Sequence, residues 1–408
     1  MRLSLWLAWR FLSPAKTLLV GTNFLAFLGL VLGIASLVVA MAVVSGYETT
    51  LRNAVIDVAG EVEVLQVGRN ASEQKQLEDR IRALDARLRG IVPFARIEAV
   101  AARQGRVRGV LLQGMDAQSW DEVLNLDKRL VEGRLDLKPQ DGEPVAWLGK
   151  GLASELGLSV GDMLSVVIPV ADGSESAKLT RSLARFRVQA ILDLGKHDWN
   201  TRFVMTDLSS FQRFSRIGSR FSGFLLSYGD PDLALGISSR LEAELGFSHY
   251  VSNWFELNEN LFRAVEFEKF ILFMVISIIL MVSAFNISST LFVGVLQRYS
   301  DIAILKAVGM TKSKLVFIFS LQGLILGFLG YVGGGLVGWG LTQGFMWAQD
   351  HFGLLDKDVY RLDRIVVDLR FLDLLWIALF TLFVCTLATL APALRGARMK
   401  MVEGLRYG

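Results

Sequence analysis

The sequence predicts an α-helical membrane protein with four transmembrane helices and a large α+β domain inserted between the first and second. Three observations predict this. The chain of 408 residues is 52% hydrophobic, well above an ordinary soluble protein. Its apolar residues gather into four long runs, each offering the roughly 20 residues that a helix needs to cross the hydrocarbon core. Between the first two runs, residues 45–269 have soluble character and enough length for a core of their own.

Taken in order, residues 1–17 read as an interfacial lead-in. Leu5, Trp6, Trp9, Phe11 and Leu12 offer apolar surface, and Arg2, Arg10 and Lys16 offer charge to lipid headgroups. Residues 18–44 form the first transmembrane helix. A signal-peptide core would run about 7–15 residues, so this longer run reads as an uncleaved anchor. In the domain 45–269, strand patterns fall at 61–67, 107–113, 145–148, 164–169, 186–192 and 221–228. Helical patterns fall at 72–89, 152–156, 209–214 and 231–245, and residues 258–269 lead as a helix into the second span, 270–296. An elbow at 297–314, a third span at 315–348, a short loop at 349–370, a fourth span at 371–392 and a tail at 393–408 complete the chain.

Charge sets the expected orientation. The net charge of +3 is small, but the basic residues cluster before span one, in the elbow and after span four. Four spans put all three clusters on one side, and the positive-inside rule assigns that side to the cytoplasm. The domain 45–269 and the loop 349–370 are then external. The single cysteine, Cys385, lies in an apolar run, so no intramolecular disulfide can staple the external domain.

The elbow carries the sharpest signal. Ile302, Leu305 and Val308 recur every third residue and are expected to share a helical face. Asp301, Lys306 and Lys312 add charge, and Gly309 stands where a C-terminal cap belongs. About ten residues are too few for an isolated helix, so the apolar stripe predicts docking on a soluble partner.

Within the spans, Gly29/Gly33, Gly323/Gly327, Gly330/Gly334/Gly338 and Gly340/Gly344 repeat at four-residue spacing. Such pairs serve either packing within the bundle or a sliding dimer interface. Ser283, Asn286, Ser288, Ser289 and Thr290 form a polar cluster, and Thr381, Cys385 and Thr389 form an i, i+4 stripe. No acidic or basic residue lies deep in a span, which argues against an ion-driven carrier. No phosphate-binding loop, metal-ligand spacing or nucleophile motif occurs. The sequence therefore predicts neither an enzyme nor a metal site, and no nucleic-acid partner.

Several stretches carry a family resemblance. They are Trp254–Asn258 with Asn260–Val265 and Glu268-Lys269, then Ala284–Leu291, then Asp301–Gly309. Ala391-Pro392-Ala393 with Glu403–Tyr407 completes the set. With the order of spans, they resemble lipoprotein-releasing permeases of the LolC/LolE (LolF-like) type, within the FtsX/MacB-like permease class. The resemblance implies a membrane subunit that takes lipoproteins from the inner membrane and passes them to a LolA-like periplasmic chaperone. It also implies a second permease subunit, the same or a related chain, and a LolD-like ATPase dimer. ATP and Mg would be bound by that ATPase, and this chain would bind no cofactor.

The elbow would be the coupling helix, comprising Arg298, Asp301, Ile302, Leu305, Lys306, Val308 and Gly309. Ile302 and Leu305 would fill a groove on the ATPase, with Asp301 and Lys306 at its rim. Asp301 stands where the family usually has Glu, and Gln297-Arg298 where an acidic-basic pair is common. An apolar cavity between permease subunits is expected along Leu37, Val39, Met41, Val43, Val44 and Tyr47. From the second helix, Phe262, Val265, Phe267, Phe270 and Met274 would face it. A chaperone-recruiting hairpin would fall at 169–187, with Pro169, a bend at Asp172-Gly173, and Lys178, Arg181 and Arg185 for an acidic surface. Two other readings of the resemblance are an FtsX-like mechanotransmitter acting on a cell-wall hydrolase and a MacB-like exporter subunit.

Overall fold

The computed structural model describes Trp6 and residues 17–66, 71–140, 142–171, 179–246, 249–352 and 367–399. The lead-in 1–16 apart from Trp6, the hairpin bend at Asp172, Gly173 and Lys178, the loop 353–366 and the tail 400–408 lie outside these residues. The elements in order are α1 (Thr17–Ala59), β1 (Val62–Gln66), α2 (Ala71–Leu84), β2 (Gly90–Arg103), β3 (Arg106–Met115), β4 (Leu130–Gly133) and β5 (Val145–Gly149). There follow α3 (Lys150–Leu156), β6 (Met163–Ala171), β7 (Leu179–Leu192), α4 (His197–Arg202), β8 (Phe203–Asp207), α5 (Leu208–Ser215), β9 (Gly223–Ser227), α6 (Pro231–Leu245) and β10 (His249–Asn253). The chain ends with α7 (Glu259–Gln297), α8 (Tyr299–Ala307), α9 (Lys312–Phe352) and α10 (Phe371–Arg398).

Among the described residues, four helices are long and apolar enough to cross a membrane: Phe24–Ala59, Glu256–Gln297, Lys312–Gln349 and Phe371–Arg398. All the strands lie in the sequence between the first and second of these. The chain divides into two compact units. One holds the described residues up to Tyr47 and those from Ala264 onward; the other is Glu48–Arg263.

The first unit is a helix bundle. Leu30, Ile34, Leu37 and Met41 of α1 meet Leu280 and Ala284 of α7 and Ile377 and Cys385 of α10 in one buried cluster. Small residues set the spacing. A methyl group added at Gly334 or Gly338 of α9 would meet Ile34 Cβ at 2.6 Å or Val38 Cβ at 2.8 Å. Gly323 and Gly327 lie in the same way against Thr389 and Cys385 of α10. These glycines therefore serve packing inside the chain, whereas Gly340 and Gly344 face open space.

The second unit is built on a ten-stranded sheet in the order β10-β1-β9-β2-β3-β8-β5-β7-β4, with β6 pairing to β2 and β7. Most pairs are antiparallel, but β3/β8 and β5/β7 are parallel. One apolar cluster lies between the sheet and α3 and α5, and includes Leu148, Leu152, Phe186 and Phe211. Another surrounds Trp147, which meets Trp120 edge-on at 5.0 Å.

Three sequence expectations need correction. The first apolar helix does not stop at residue 44; it runs to Ala59 because Leu51, Ala54, Val55 and Val58 continue the helical spacing on a buried face. Strands β2, β4, β8 and β10 were not expected. Pro93, Arg96 and Glu98 break the apolar pattern of β2, yet β2 pairs with β3, β6 and β9. Finally, α10 continues past Pro392 to Arg398 although proline removes a helical hydrogen bond there.

Candidate functional site

The elbow is a short helix held between two turns. At its end, Gly309 has φ +97°, a left-handed conformation open to glycine without a Cβ penalty. The Gly309 N–H donates to the Lys306 carbonyl and the Met310 N–H to the Leu305 carbonyl, each at 3.0 Å. This pair of bonds is the Schellman cap, and it turns the chain back into α9.

The two faces of α8 differ. Ile302 is 1% exposed and packs with Val295 of α7, Leu315 and Phe319 of α9, and Ala393 and Ala397 of α10. Val308 is 83% exposed and Ile304 50% exposed, with Asp301 exposed beside them; Leu305 and Arg298 are half-buried. The expected stripe of Ile302, Leu305 and Val308 is thus corrected. A three-residue step falls about 60° short of a full turn, so Ile302 and Val308 stand about 120° apart. Asp301, Ile304 and Val308, at i, i+3 and i+7, form the outward stripe instead.

Lys306 also moves from its expected rim position. Its Nζ donates to the carbonyls of Ala397 at 2.7 Å and Met399 at 2.6 Å, capping the end of α10. A cation there complements the negative end of the helix dipole. Burial, then the nearby Lys312, pulls the Lys306 pKa below the usual lysine value.

At the other end of α10, Asp373 lies in the first turn. Lys269 of α7 bonds its carboxylate at 3.0 Å, and the buried Ser45 of α1 donates to it at 2.8 Å. Lys269 Nζ also donates to Ser45 Oγ at 2.9 Å. Three helices meet at this closed polar set, which the sequence signalled only through Asp373 near a span end.

The expected cavity residues divide. Leu37, Met41 and Val44 are buried, the first two in the bundle core, because they face the other helices. Val39, Val43 and Tyr47 are half-buried, and they continue an outward face of α1 that includes Leu25 and Leu32. Phe262 is 2% exposed and packs edge-on against Trp254 at 5.1 Å, within the α+β unit. Val265 is buried too, whereas Phe267, Phe270 and Met274 are exposed on α7. The outward residues of the two helices, not all those first expected, are therefore available to lipid.

The hairpin has a regular stem. β6 and β7 pair antiparallel from Met163↔Arg187 to Ala171↔Leu179, with Pro169 opposite Arg181 and Ser165 opposite Arg185. Pro169, Arg181, Leu183 and Arg185 are exposed. This alternation places the two arginines on one face of the stem.

The sequence of residues 23–243, more than half of the chain, matches the MacB-like periplasmic core domain, and residues 273–401 match the FtsX-like permease C-terminal region. The chain belongs to the FtsX/MacB-like permease family. Its curated relatives include the lipoprotein-releasing system transmembrane protein LolC of Neisseria meningitidis serogroup B, 28% identical over 99% of each chain. LolC of Xylella fastidiosa is 29% identical over 94% of this chain and 93% of its own. LolE of Haemophilus influenzae is 28% identical over 93% of this chain and 92% of its own.

Within this permease, periodicity missed Ile304 on the outward face and the contact that holds the elbow in place. Ile304 is isolated in the three-residue count but shares its face with Val308. The Lys306–α10 contact joins residues 91 positions apart in sequence, and no local pattern encodes it.

Proposed function

We propose that this permease is the membrane subunit of an ABC transporter that extracts outer-membrane-destined lipoproteins from the inner membrane. The observation that carries this reading is relatedness along nearly the whole chain to proteins named as lipoprotein-releasing transmembrane subunits. The same reading gives it a partner LolD-like ATPase that binds ATP and Mg, a second permease subunit and a LolA-like periplasmic chaperone. The α+β unit lies in the periplasm, and both termini lie in the cytoplasm.

The task is to lift acyl chains from the bilayer, at about 0.8 kcal/mol per methylene. The exposed residues Phe267, Phe270 and Met274 of α7, with Val39 and Val43 of α1, offer the apolar surface for that transfer. Asp301, Ile304 and Val308 of α8 present the docking face to the ATPase. Lys306 and Ile302 bind the elbow to α10 and α9, so a push on the docking face reaches the bundle. Arg181 and Arg185 on the hairpin stem meet the chaperone.

Depletion of the permease, followed by membrane fractionation, tests the function. Lipoproteins retained in the inner membrane are expected; normal sorting would refute release. Photocrosslinkers at Val43 or Met274 are expected to capture lipoprotein, and their uniform failure would remove the apolar path.

A further inference from the structure

The α+β unit contains a pocket of about 290 Å³ that lies apart from the elbow, the outward helix faces and the hairpin described above. Its floor includes Gln66 at the end of β1 and Phe211 of α5. Arg96 of β2 forms a wall, and Ile217, Arg220 and Phe221 form the lip. Gln66 is 5% exposed, yet neither its side-chain oxygen nor its nitrogen has a hydrogen-bond partner. A buried amide left unpaired on both sides destabilises the chain that keeps it. It is aimed into a cavity where a ligand can pair with both atoms.

The lip is set in advance. Gln74 Nε2 donates to the Phe221 carbonyl and Gln212 Nε2 to the Arg220 carbonyl, each at 3.0 Å. The Arg96 N–H donates to Ser222 Oγ at 3.0 Å, and the Ser222 N–H donates to the Phe94 carbonyl at 2.8 Å. A pocket ordered without its ligand loses less freedom on binding.

Charge and shape select the ligand. Arg96 is balanced by the buried carboxylate of Glu63 at 3.4 Å. Arg220 is exposed, and among the described residues its Nε bonds only the Ile217 carbonyl, at 3.0 Å. The pocket therefore keeps one uncompensated cation at its mouth, an apolar wall of Phe211, Ile217 and Phe221, and an amide-reading group at its floor. Its volume lies at the small end of ligand sites, about 300–1,000 Å³. We propose that this pocket binds an N-acylated amino-acid carboxylate with a large apolar side chain, the chemistry of a peptide's carboxyl end. The carboxylate pairs with Arg220, the side chain enters between the two phenylalanines, and the amide exchanges two hydrogen bonds with Gln66.

The test is calorimetric titration of the full chain in lipid nanodiscs with N-acetyl-phenylalanine, N-acetyl-alanyl-phenylalanine and the C-terminal amide of that dipeptide. Both acids are expected to bind, and the amide about tenfold more weakly, as suits loss of a charge-assisted bond. Arg220→Gln is expected to weaken the acids about tenfold and to leave the amide unchanged. Gln66→Met keeps the shape of the side chain, so it is expected to abolish binding while raising the melting temperature. A tighter dipeptide identifies a chain terminus as the source, and equal affinities identify a free acyl amino acid. Absence of binding by both acids at millimolar concentration would overturn the proposal. So would binding that Gln66→Met leaves intact, or a melting temperature that falls in that variant.

Discussion

The two ends of α10 are each held by a lysine, and the two attachments differ in kind. At its start, Lys269 meets a carboxylate and a hydroxyl, so charge is balanced within the bundle. At its finish, Lys306 meets, among the described residues, backbone carbonyls only, so a cation without a carboxylate rests on the helix dipole. The first set is complete in itself and fixes three helices together. The second joins α10 to a helix whose other face is open, so under the proposed function it would transmit force where the first only anchors. The same residue type would then serve as a pin at one end and a lever at the other.

Breaking the pin is expected to have the largest effect. Asp373→Ala strands a largely buried ammonium and should cost about 3 kcal/mol, read as lowered thermal stability in detergent. Adding Lys269→Met should recover much of it, and ATPase attachment should survive in both. Next comes the inward face of the lever. Ile302→Ala should cost about 2 kcal/mol through the cavity it opens, whereas Ile304→Ala should change stability by less than about 0.5 kcal/mol. Co-purification should rank them in the reverse sense: charged replacements of Ile304 and Val308 together should release the ATPase. Lys306→Met should cost about 1 kcal/mol. It should leave ATPase bound but its hydrolysis poorly linked to lipoprotein release, measured in proteoliposomes.

A pair in the α+β unit provides a control outside the bundle. Asp85 accepts bonds from the side chain and N–H of Arg87, and these, chiefly the side chain, hold its pKa down from 3.8 to about 2. A depressed carboxylate pKa adds stability above the unfolded value and loses it as pH falls through the folded value. Asp85→Asn should therefore cost about 1 kcal/mol at neutral pH, given the exposure of Arg87. The difference should vanish between about pH 4 and pH 2, while that of Ile302→Ala, an apolar cavity, should persist.

The comparison also explains what could be read from the sequence. The four apolar runs were legible because membrane helices need only length and composition. α6 matched its expected bounds, Pro231–Leu245, because Asp230 caps it, Pro231 opens it and Gly246 follows it. The cap at Gly309 was legible for the same local reason. The sides of α8 were not, since a three-residue repeat drifts around a helix and only the packed neighbours decide which part faces inward. Strand β2 escaped because its Arg96 and Glu98 are accommodated by distant partners, Glu63 and Arg202. The extension of α1 escaped because Glu48, Arg52 and Asp57 resemble the end of a span. In the structure Asp57 is instead neutralised by Arg129 at 2.8 Å.

The close seating of α9 on α1 has a consequence for traffic through the bundle. Where Gly334 and Gly338 meet Ile34 and Val38, even one methyl group finds no room, so a fatty tail cannot thread that seam. Under the proposed function, cargo that meets α1 would do so on its opposite flank, beside Leu32 and Val39. A single row of hydrogen side chains would then close one door and make that route one-sided.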